Sequence, residues 1–267
     1  MAISFKSRPA LVAYVTCGDP NLQATQDIVL AAIDAGADVI ELGVPFSDPV
    51  ADGPVIQRAS ERALRNGVTL ANVIELAAGV RKKAKDAGLI IFSYFNPILR
   101  FGLERFCDRA AAAGIDGALV TDLPVEESAE YIAAMRAHNL HTIFLVAPTS
   151  TDERLRRIAQ LSTGFVYAVS RTGVTGVRKE LTADARELVA RVRRFTKLPV
   201  AVGFGISTAE QVAEVEQFAD AAVVGSAIVQ AIEQAPAGQA ARSVAELVAR
   251  LRSQRPATQQ SKAGAER

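Results

Sequence analysis

Short apolar runs alternate along the chain with longer amphipathic segments. Eight runs have the length and composition of buried strands, and the segments between them repeat their apolar residues with a helical period. The strand runs are 11–15, 38–44, 89–94, 116–121, 140–147, 164–169, 198–203 and 220–225. The helical segments include 22–35, 71–87, 103–113, 126–138, 152–161, 182–195 and 208–218. This regular alternation predicts right-handed crossovers and a parallel sheet.

The organisation of these units favours one α/β domain. No low-complexity linker divides the chain, so we expect a single domain over residues 1–252, followed by a polar tail, 253–267, that is disordered. The junctions before three predicted strands repeat one pattern, in Ala35-Gly-Ala-Asp38, Ala113-Gly-Ile-Asp116 and Phe218-Ala-Asp220. A doubly wound open sheet is the competing architecture. Eight units in 267 residues favour a closed (β/α)₈ TIM barrel, for which about 250 residues is usual.

Composition narrows the class of protein. Hydrophobic residues make up 49% of the chain and charged residues 22%, which is enough for a large core. The net charge of +1 argues against a nucleic-acid or membrane surface. Cys17 and Cys107 are too few and too far apart for a disulfide framework or a zinc site, which favours a reducing cytoplasm. Without an apolar signal segment or a run of membrane-spanning length, we expect a soluble cytoplasmic protein.

One predicted strand carries a charge. Glu41 interrupts the apolar run 38–44, where an unpaired carboxylate is costly unless it has a function or a partner. The loop that follows adds the acids Asp48 and Asp52 and is stiffened by Pro45, Pro49 and Pro54. A carboxylate within a strand and others on an ordered loop after it indicate acid/base chemistry at the top of a βα unit.

Glycine-rich turns follow the last predicted strands. Gly203-Phe-Gly-Ile-Ser207 and Gly225-Ser-Ala-Ile228 each lead directly into a helix. Small residues let the backbone approach a ligand, and amides at a helix N-terminus attract an anion. Either turn alone is most simply an ordinary loop, but the loops after strands 7 and 8 of a barrel are its usual phosphate site. A third segment, Ser170-Arg-Thr-Gly-Val-Thr-Gly176, is either a flexible connection or a lid over the substrate.

Several residues and motifs that particular reactions require are missing from the expected catalytic positions, which restricts the class of reaction. His138 and His141 lie before the fifth predicted strand, at the end of a barrel opposite the catalytic face, so a histidine metal site is not expected. No lysine falls within a predicted strand or at its carboxyl end, which argues against a Schiff base. Thr16-Cys-Gly-Asp-Pro20 stands where a dinucleotide fingerprint would begin. These features leave proton transfer on a phosphorylated substrate.

Six segments stand in collinear order from about residue 10 to about 250. They are Leu11-Val-Ala-Tyr-Val-Thr-Cys-Gly-Asp-Pro20, Glu41-Leu-Gly-Val-Pro-Phe-Ser-Asp-Pro-Val-Ala-Asp-Gly-Pro54, Asp122-Leu-Pro-Val-Glu-Glu127, Ser170–Gly176, Gly203–Ser207 and Gly225–Ile228. The most specific is Pro-Phe-Ser-Asp-Pro-x-Ala-Asp-Gly-Pro, which ends the second segment. Together, the six segments closely resemble the tryptophan synthase alpha subunit family. The chain departs from the family at its short N-terminus, which lacks most of the extra helix that often covers the barrel bottom.

The resemblance implies a fold, a reaction and a partner. Members of this family are TIM barrels that cleave indole-3-glycerol phosphate to indole and glyceraldehyde 3-phosphate in a retro-aldol reaction. They work with a beta subunit, as an α₂β₂ heterotetramer, in the last steps of L-tryptophan biosynthesis. The beta subunit carries pyridoxal phosphate and condenses the indole with serine. No metal and no cofactor are expected in this chain itself.

The resemblance also assigns the two catalytic carboxyls. Glu41 matches the general acid/base that protonates the indole ring at C3 and accepts the proton of the chain hydroxyl. Asp52 matches the second acid, which bonds the indole N–H and stabilises the positive charge of the indolenine tautomer. From local sequence alone, Glu41 is also compatible with a structurally satisfied buried charge. Asp52 is equally compatible with a helix N-cap before Gly53-Pro54.

Further positions are assigned by the resemblance. For any single residue that matches the indole pocket, simple core packing explains the sequence equally well. These pocket residues are Tyr14, Phe92, Tyr94, Leu119, Thr121 and Tyr167. The phosphate is expected on backbone amides at Gly176, Phe204, Gly205, Gly225 and Ser226. Thr175 matches a lid residue that bonds Asp52 when the lid closes, and Pro45 and Asp48 lie on the loop that faces the beta subunit.

Two alternatives remain open at this level. One is a stand-alone indole-3-glycerol phosphate lyase that releases free indole, which the sequence does not separate from the subunit of a complex. The other is a catalytically silent barrel that activates a beta subunit. The second would be marked by loss of Glu41 or Asp52, and both residues are present.

Overall fold

Eight parallel strands pair in chain order and close into a barrel, with β8 beside β1. The computed structural model describes residues 3, 5, 9–169, 178–203 and 205–253, with only the backbone for 178–182. The strands are β1 (Ala10–Thr16), β2 (Val39–Gly43), β3 (Gly88–Ser93), β4 (Gly117–Val120), β5 (His141–Val146), β6 (Val166–Val169), β7 (Val200–Gly203) and β8 (Ala221–Val224). All eight predicted strands are confirmed, and the closed order excludes the open sheet.

Helices fill the connections between the strands. Within the described residues they are α1 (Leu22–Asp34), α2 (Pro54–Arg65), α3 (Leu70–Lys83), α4 (Phe95–Phe101), α5 (Leu103–Ala112), α6 (Ala129–Ala137), α7 (Asp152–Leu161), α8 (Arg178–Arg193), α9 (Ala209–Val215), α10 (Ser226–Gln234) and α11 (Ala240–Arg252). Each helical segment predicted from the periodicity overlaps one of them, although α3 begins one residue and α8 four residues before the predicted start. The periodicity did not single out α2, α4, α10 or α11.

The interior of the barrel is filled by side chains from alternate strand positions. Successive side chains of a strand point to opposite faces, so every second residue enters the barrel and the others meet the helices. The interior cluster contains Ala10, Val12, Val39, Ile90, Leu119, Ile143, Phe165, Ala201, Ala221 and Val223. Glu41 is thus the charged member of a set of positions that are otherwise apolar at this level of the barrel.

Two residues of the short N-terminal segment cover the barrel bottom. Ile3 is buried and belongs to the interior cluster. The ring of Phe5 lies 5.7 Å from that of Phe165, just before β6. Ile3 and Phe5 therefore close the lower end of the barrel interior with apolar side chains.

The repeated junctions place an aspartate before β2, β4 and β8, and each aspartate makes the same contacts. Its carboxylate accepts a hydrogen bond from an amide near the start of the preceding strand and pairs with an arginine of a helix. The sets are Asp38 with Leu11 and Arg252, Asp116 with Leu89 and Arg81, and Asp220 with Val200 and Arg193. These contacts join neighbouring strands to the helical layer at the end of the barrel opposite the candidate site.

We expect Asp116→Ala to lower the free energy of unfolding by about 1–3 kcal/mol, because it removes the acceptor of both the Leu89 amide and the Arg81 guanidinium. Urea unfolding at fixed pH measures the change. The matched control is Glu75→Ala, which removes an exposed pair with Arg109 at 3.5 Å and should change stability by less than about 1 kcal/mol. Equal effects of the two substitutions would show that the junction aspartates are ordinary surface charges.

Candidate active site

Glu41 is the central residue of β2 and is fully buried. The strand register sets it between Tyr14 of β1 and Ile90 of β3. Both of its carboxyl oxygens are buried and have no hydrogen-bond partner among the described residues. A structurally satisfied charge would have such partners, so the geometry disfavours the structural interpretation of Glu41.

Burial also determines the protonation state of Glu41. Removal from water disfavours the carboxylate and raises the pKa of Glu41 to about 8. At neutral pH the side chain therefore holds its proton inside the barrel. A carboxylic acid in this state can donate a proton to a bound molecule and can take one back afterwards.

Asp52 lies on the loop between β2 and α2 and is partly buried. Its Oδ2 accepts a hydrogen bond from the Tyr94 hydroxyl at 3.1 Å, and its backbone carbonyl accepts one from the Gln57 amide at 2.9 Å. Burial raises the pKa of Asp52, while the hydrogen bond from Tyr94 acts in the opposite direction. α2 has no side-chain cap and its N-cap is Gly53, so the helix-cap interpretation of Asp52 is wrong.

Tyr14 and Tyr167 project into the barrel from β1 and β6, near both acids. Burial raises the pKa of each phenol well above its usual value, and the charges of Asp52 and Glu41 raise it further. Each ring lies over a glycine of the next strand: a Cβ on Gly203 would meet the Tyr167 hydroxyl at 2.5 Å, and one on Gly43 would collide with that of Tyr14. Glycine at these two positions makes room for the two phenols.

The other residues assigned to an indole pocket lie on the same side of the barrel. The Phe92 ring meets the Tyr14 ring edge-on at 5.1 Å between centroids. Leu119 is fully buried in the interior cluster, and Thr121 follows β4 with its amide bonded to the Ser93 carbonyl. Leu119 thus forms the apolar floor, while Phe92 and Tyr14 rise above it.

The described part of the expected phosphate site lies beside these rings. Gly205 has φ +67°, a conformation that favours glycine. Gly225 is the N-cap of α10 and Ser226 its first residue, and a Cβ on Gly225 would be 3.6 Å from the Tyr14 Cβ. The N-terminus of α10 therefore opens next to the barrel mouth. Gly176, Phe204 and the lid residue Thr175 lie outside the described residues.

The loop after β2 has an exposed tip above a groove. Asp48 is exposed, whereas Pro45 is buried and lines the groove, so it shapes the loop more than it offers a surface. The groove has a volume of about 440 Å³ and runs between this loop, the start of α3 and the α4 segment. Its surroundings carry exposed apolar side chains, Val50 at 87%, Leu99 at 58% and Leu64 at 37% exposure.

Three residues at the site were missed by sequence reasoning. Gln57 ties the loop carbonyls to α2, Phe46 packs its ring 4.8 Å from that of Tyr94, and Gly43 accommodates Tyr14. Gln57 and Phe46 flank the conspicuous acids in the chain, which was the available signal. Phe46 contacts Tyr94 and Gly43 contacts Tyr14, both distant in sequence, so nothing local indicated these two contacts.

Within the described ranges, no cluster of three or more His, Cys, Asp or Glu side chains that could hold a metal ion occurs. In the same part of the chain, every helix is too short or too polar to cross a membrane. His138 ends α6 and His141 begins β5, at the barrel bottom as predicted.

Sequence relatives cover almost the whole chain. A sequence model of the tryptophan synthase alpha chain family matches residues 2–259. The tryptophan synthase alpha chain of Solibacter usitatus is 56% identical over 229 residues, which are 86% of this chain and 85% of that protein. That of Geobacter sulfurreducens is 48% identical over 250 residues, 94% of each chain.

Solved structures agree with the sequence relatives. A chain of tryptophan synthase from Mycobacterium tuberculosis superposes with a TM-score of 0.84 at 39% identity, over 91% of each chain. The tryptophan synthase alpha subunit of Legionella pneumophila gives 0.85 at 35% identity, over 92% of each chain. On the sequence match and the shared barrel, this chain belongs to the tryptophan synthase alpha chain family.

Proposed function

We propose that this chain is a carbon–carbon lyase that cleaves indole-3-glycerol phosphate to indole and glyceraldehyde 3-phosphate, in the last steps of L-tryptophan biosynthesis. The observation that carries the proposal is Glu41, a buried carboxyl with no hydrogen-bond partner among the described residues, facing an apolar and aromatic barrel interior. A proton-bearing acid in such a pocket suits a flat aromatic ring that must be protonated on carbon.

The reaction needs one proton added to the indole ring and one proton removed from the glycerol chain. Glu41 gives its proton to C3 of the indole ring, which makes the ring a positively charged indolenine. As the bond from C3 to the glycerol chain breaks, its electron pair returns to the ring and neutralises that charge. The ionised Glu41 takes the proton of the chain hydroxyl, which becomes the aldehyde of glyceraldehyde 3-phosphate. The acid is then restored for the next cycle.

Asp52 has the complementary role. Its carboxylate accepts the indole N–H and stabilises the transient positive charge. Activity thus needs Asp52 ionised and Glu41 protonated, so the acid limb of the pH profile belongs to Asp52 and the basic limb to Glu41. The burial of Glu41 and the hydrogen bond from Tyr94 to Asp52 favour these opposite states.

The remaining assignments complete the substrate site. The indole is held among Tyr14, Phe92, Tyr94, Leu119, Thr121 and Tyr167. The phosphate is bound by backbone amides at Gly176, Phe204, Gly205, Gly225 and Ser226, supported for the last two by their place at the start of α10. Thr175 closes a lid onto Asp52.

The proposed context is a complex in the cytoplasm. We infer a single domain over 1–252 that needs no cofactor of its own and docks on a tryptophan synthase beta subunit carrying pyridoxal phosphate, in an α₂β₂ heterotetramer. Asp48 belongs to the docking face, and the buried Pro45 shapes the loop that presents it. The exposed Val50 and Leu99 support this face, because they offer apolar surface beside the loop that carries Asp52.

Glu41→Gln and Asp52→Asn are each expected to lower the lyase kcat at least ~10²-fold, because each removes a proton-transfer or charge-stabilising group that has no substitute nearby. Indole release from indole-3-glycerol phosphate measures the loss. The matched control is Glu127→Gln, the same charge change at an exposed position after β4, which should keep wild-type turnover. Near wild-type kcat in a folded Glu41→Gln or Asp52→Asn variant would remove that residue from the mechanism.

Glu41 should also make folding stability depend on pH. The carboxyl ionises near pH 4.5 when unfolded and near 8 when folded, so its contribution is fully present below about pH 4.5 and is lost as pH rises to about 8. From this group, the free energy of unfolding should fall by on the order of 3–4 kcal/mol between pH 5 and 8. Urea unfolding across this range measures the slope. Glu41→Gln should lose that part of the slope and Glu127→Gln should keep it; identical slopes in all three proteins would contradict a raised pKa.

Docking of a beta subunit is expected to raise lyase turnover, because contact at the exposed tip of the loop that carries Asp52 restricts this loop further and excludes water from the site. Leu99→Glu should raise the beta-subunit concentration needed for half of this activation by ~10-fold or more. The turnover of the isolated chain should stay the same. Titrating indole release with beta subunit measures both quantities. Gln160→Glu adds the same charge at an exposed position of α7 and serves as control.

The outcomes separate the open alternatives. Full turnover of the isolated chain, unchanged by a beta subunit, would favour a stand-alone lyase. A chain with no turnover that nevertheless stimulates a beta subunit would be a silent activating partner.

A further inference from the structure

The loop that carries Asp52 has little packing to hold it in place. Ser47, Asp48, Val50, Ala51 and Gly53 are all exposed, so few apolar contacts fix the backbone on either side of Asp52. Two short internal hydrogen bonds, from Val50 to Asp48 and from Asp52 to Pro49, shape the turn but do not attach it to the barrel. A carboxylate that must meet the substrate with little positional freedom needs another attachment.

Tyr94 supplies one attachment through its hydroxyl. That oxygen accepts a hydrogen bond from the Ala51 amide at 2.9 Å and donates its proton to Asp52 Oδ2 at 3.1 Å. A phenol has one proton, so this donation is committed to the carboxylate. The same hydroxyl therefore fixes the loop backbone and the catalytic side chain together.

Tyr94 is itself held firmly. It is 3% exposed, and the ring of Phe46 packs against it at 4.8 Å between centroids. The buried Ser93 hydroxyl donates to its carbonyl at 2.8 Å, and Asp122 accepts from the next amide, that of Phe95, at 2.7 Å. The hydroxyl is thus a fixed point at the end of β3 and not a mobile surface group.

Gln57 supplies the second attachment from the side of α2. Its Nε2 donates to the Asp52 carbonyl at 2.9 Å and to the Pro49 carbonyl at 3.4 Å. The turn 49–52 is therefore bound to the helix that follows it. Gln57 touches only the backbone of Asp52, whereas Tyr94 touches the carboxylate.

We propose that Tyr94 and Gln57 are positioning residues for the lyase reaction, Tyr94 fixing the carboxylate of Asp52 and Gln57 fixing its backbone. This inference rests on the proposed function, because it assumes that Asp52 acts on the substrate. It adds that the chain presets Asp52 by itself, before a lid or a partner closes over the site.

The two contacts have different electrostatic consequences. A hydrogen bond donated to a carboxylate favours its ionised form, so Tyr94 opposes the effect of burial on the pKa of Asp52. Gln57 bonds a neutral carbonyl and has no such effect. The other titratable groups around the carboxylate stay the same in both variants: the phenols of Tyr14 and Tyr167 face it, Glu41 faces those phenols, and Asp122 faces Tyr94.

The test is steady-state indole release by the purified full chain without a beta subunit, across a range of pH. We expect Tyr94→Phe to lower kcat ~5- to 20-fold with KM changed less than ~2-fold, since the ring remains in place. The acid limb of kcat/KM should move up by about half to one pH unit, because Asp52 loses a donor. We expect Gln57→Met to lower kcat ~3- to 10-fold with the acid limb unmoved.

Matched controls separate positioning from a general loss of stability. Tyr131→Phe removes a buried phenol hydroxyl that bonds the Ala118 carbonyl at 3.1 Å, far from Asp52. Gln23→Met changes an exposed glutamine of α1. Both controls should keep the wild-type kcat and pH profile, and thermal unfolding of every variant identifies effects that come from the fold. If Tyr94→Phe does not fold, Gln57→Met decides.

The outcomes distinguish this inference from the proposed function. In the Asp52→Asn background, Tyr94→Phe should lower kcat less than ~2-fold further, because the two act through one group. Wild-type kcat and acid limb in both Tyr94→Phe and Gln57→Met, with Asp52→Asn inactive, would overturn the positioning roles alone. Wild-type turnover in Asp52→Asn would overturn the proposed function itself.

Discussion

A carboxyl group sealed inside a closed barrel is the constraint around which this structure is organised. The hydrogen-bonded strands of a parallel barrel use up their own backbone donors, so the side chain of Glu41 on β2 can be satisfied only by a neighbouring side chain, by water or by a ligand. Among the described residues nothing bonds its oxygens, and burial keeps it protonated. The apolar interior below it stabilises the barrel, while the group itself costs stability above about pH 5. A local violation of the folding rules of this kind is typical of functional sites.

The two acids differ because their supports differ. Glu41 belongs to a strand, which fixes its position through the register with Tyr14 and Ile90 and removes it from water. Asp52 sits on a loop with an exposed tip, where Tyr94 and the partial access to solvent help it to ionise. Two carboxyl groups of similar intrinsic acidity are thereby placed in different environments at one barrel mouth, which favour the protonated form of Glu41 and, through Tyr94, the ionised form of Asp52.

The strand–helix alternation was enough to predict the eight strands and the closed barrel, because burial on both faces leaves continuous apolar runs. The charge of Glu41 within such a run was equally visible. The contact between Tyr94 and Asp52 was not, since the two residues lie 42 positions apart in the chain and the pairing of β2 with β3 brings them together. The role of Gly43 was not visible either, because the reason for a glycine there is that any side chain would collide with Tyr14 on the neighbouring strand.

Ion pairs connect α2 and α10, the two helices that begin at the site, at a distance from the site itself. α2 starts just after Asp52 and α10 starts at Gly225, so the spacing between the acid and the expected phosphate site depends on how these helices sit side by side. Arg58 and Arg62 of α2 both pair with Glu233 near the end of α10, at 2.8 and 2.7 Å. Arg62 also donates two hydrogen bonds of 2.8 Å to the buried Asp19, in the loop after β1. A network with one buried carboxylate is worth more than separate exposed pairs, because each side chain is already ordered by its neighbours. Two sets of contacts therefore fix the site. Tyr94 and Gln57 fix the loop that carries Asp52, and the ion pairs fix α2 and α10, the helices that follow the loops after β2 and β8.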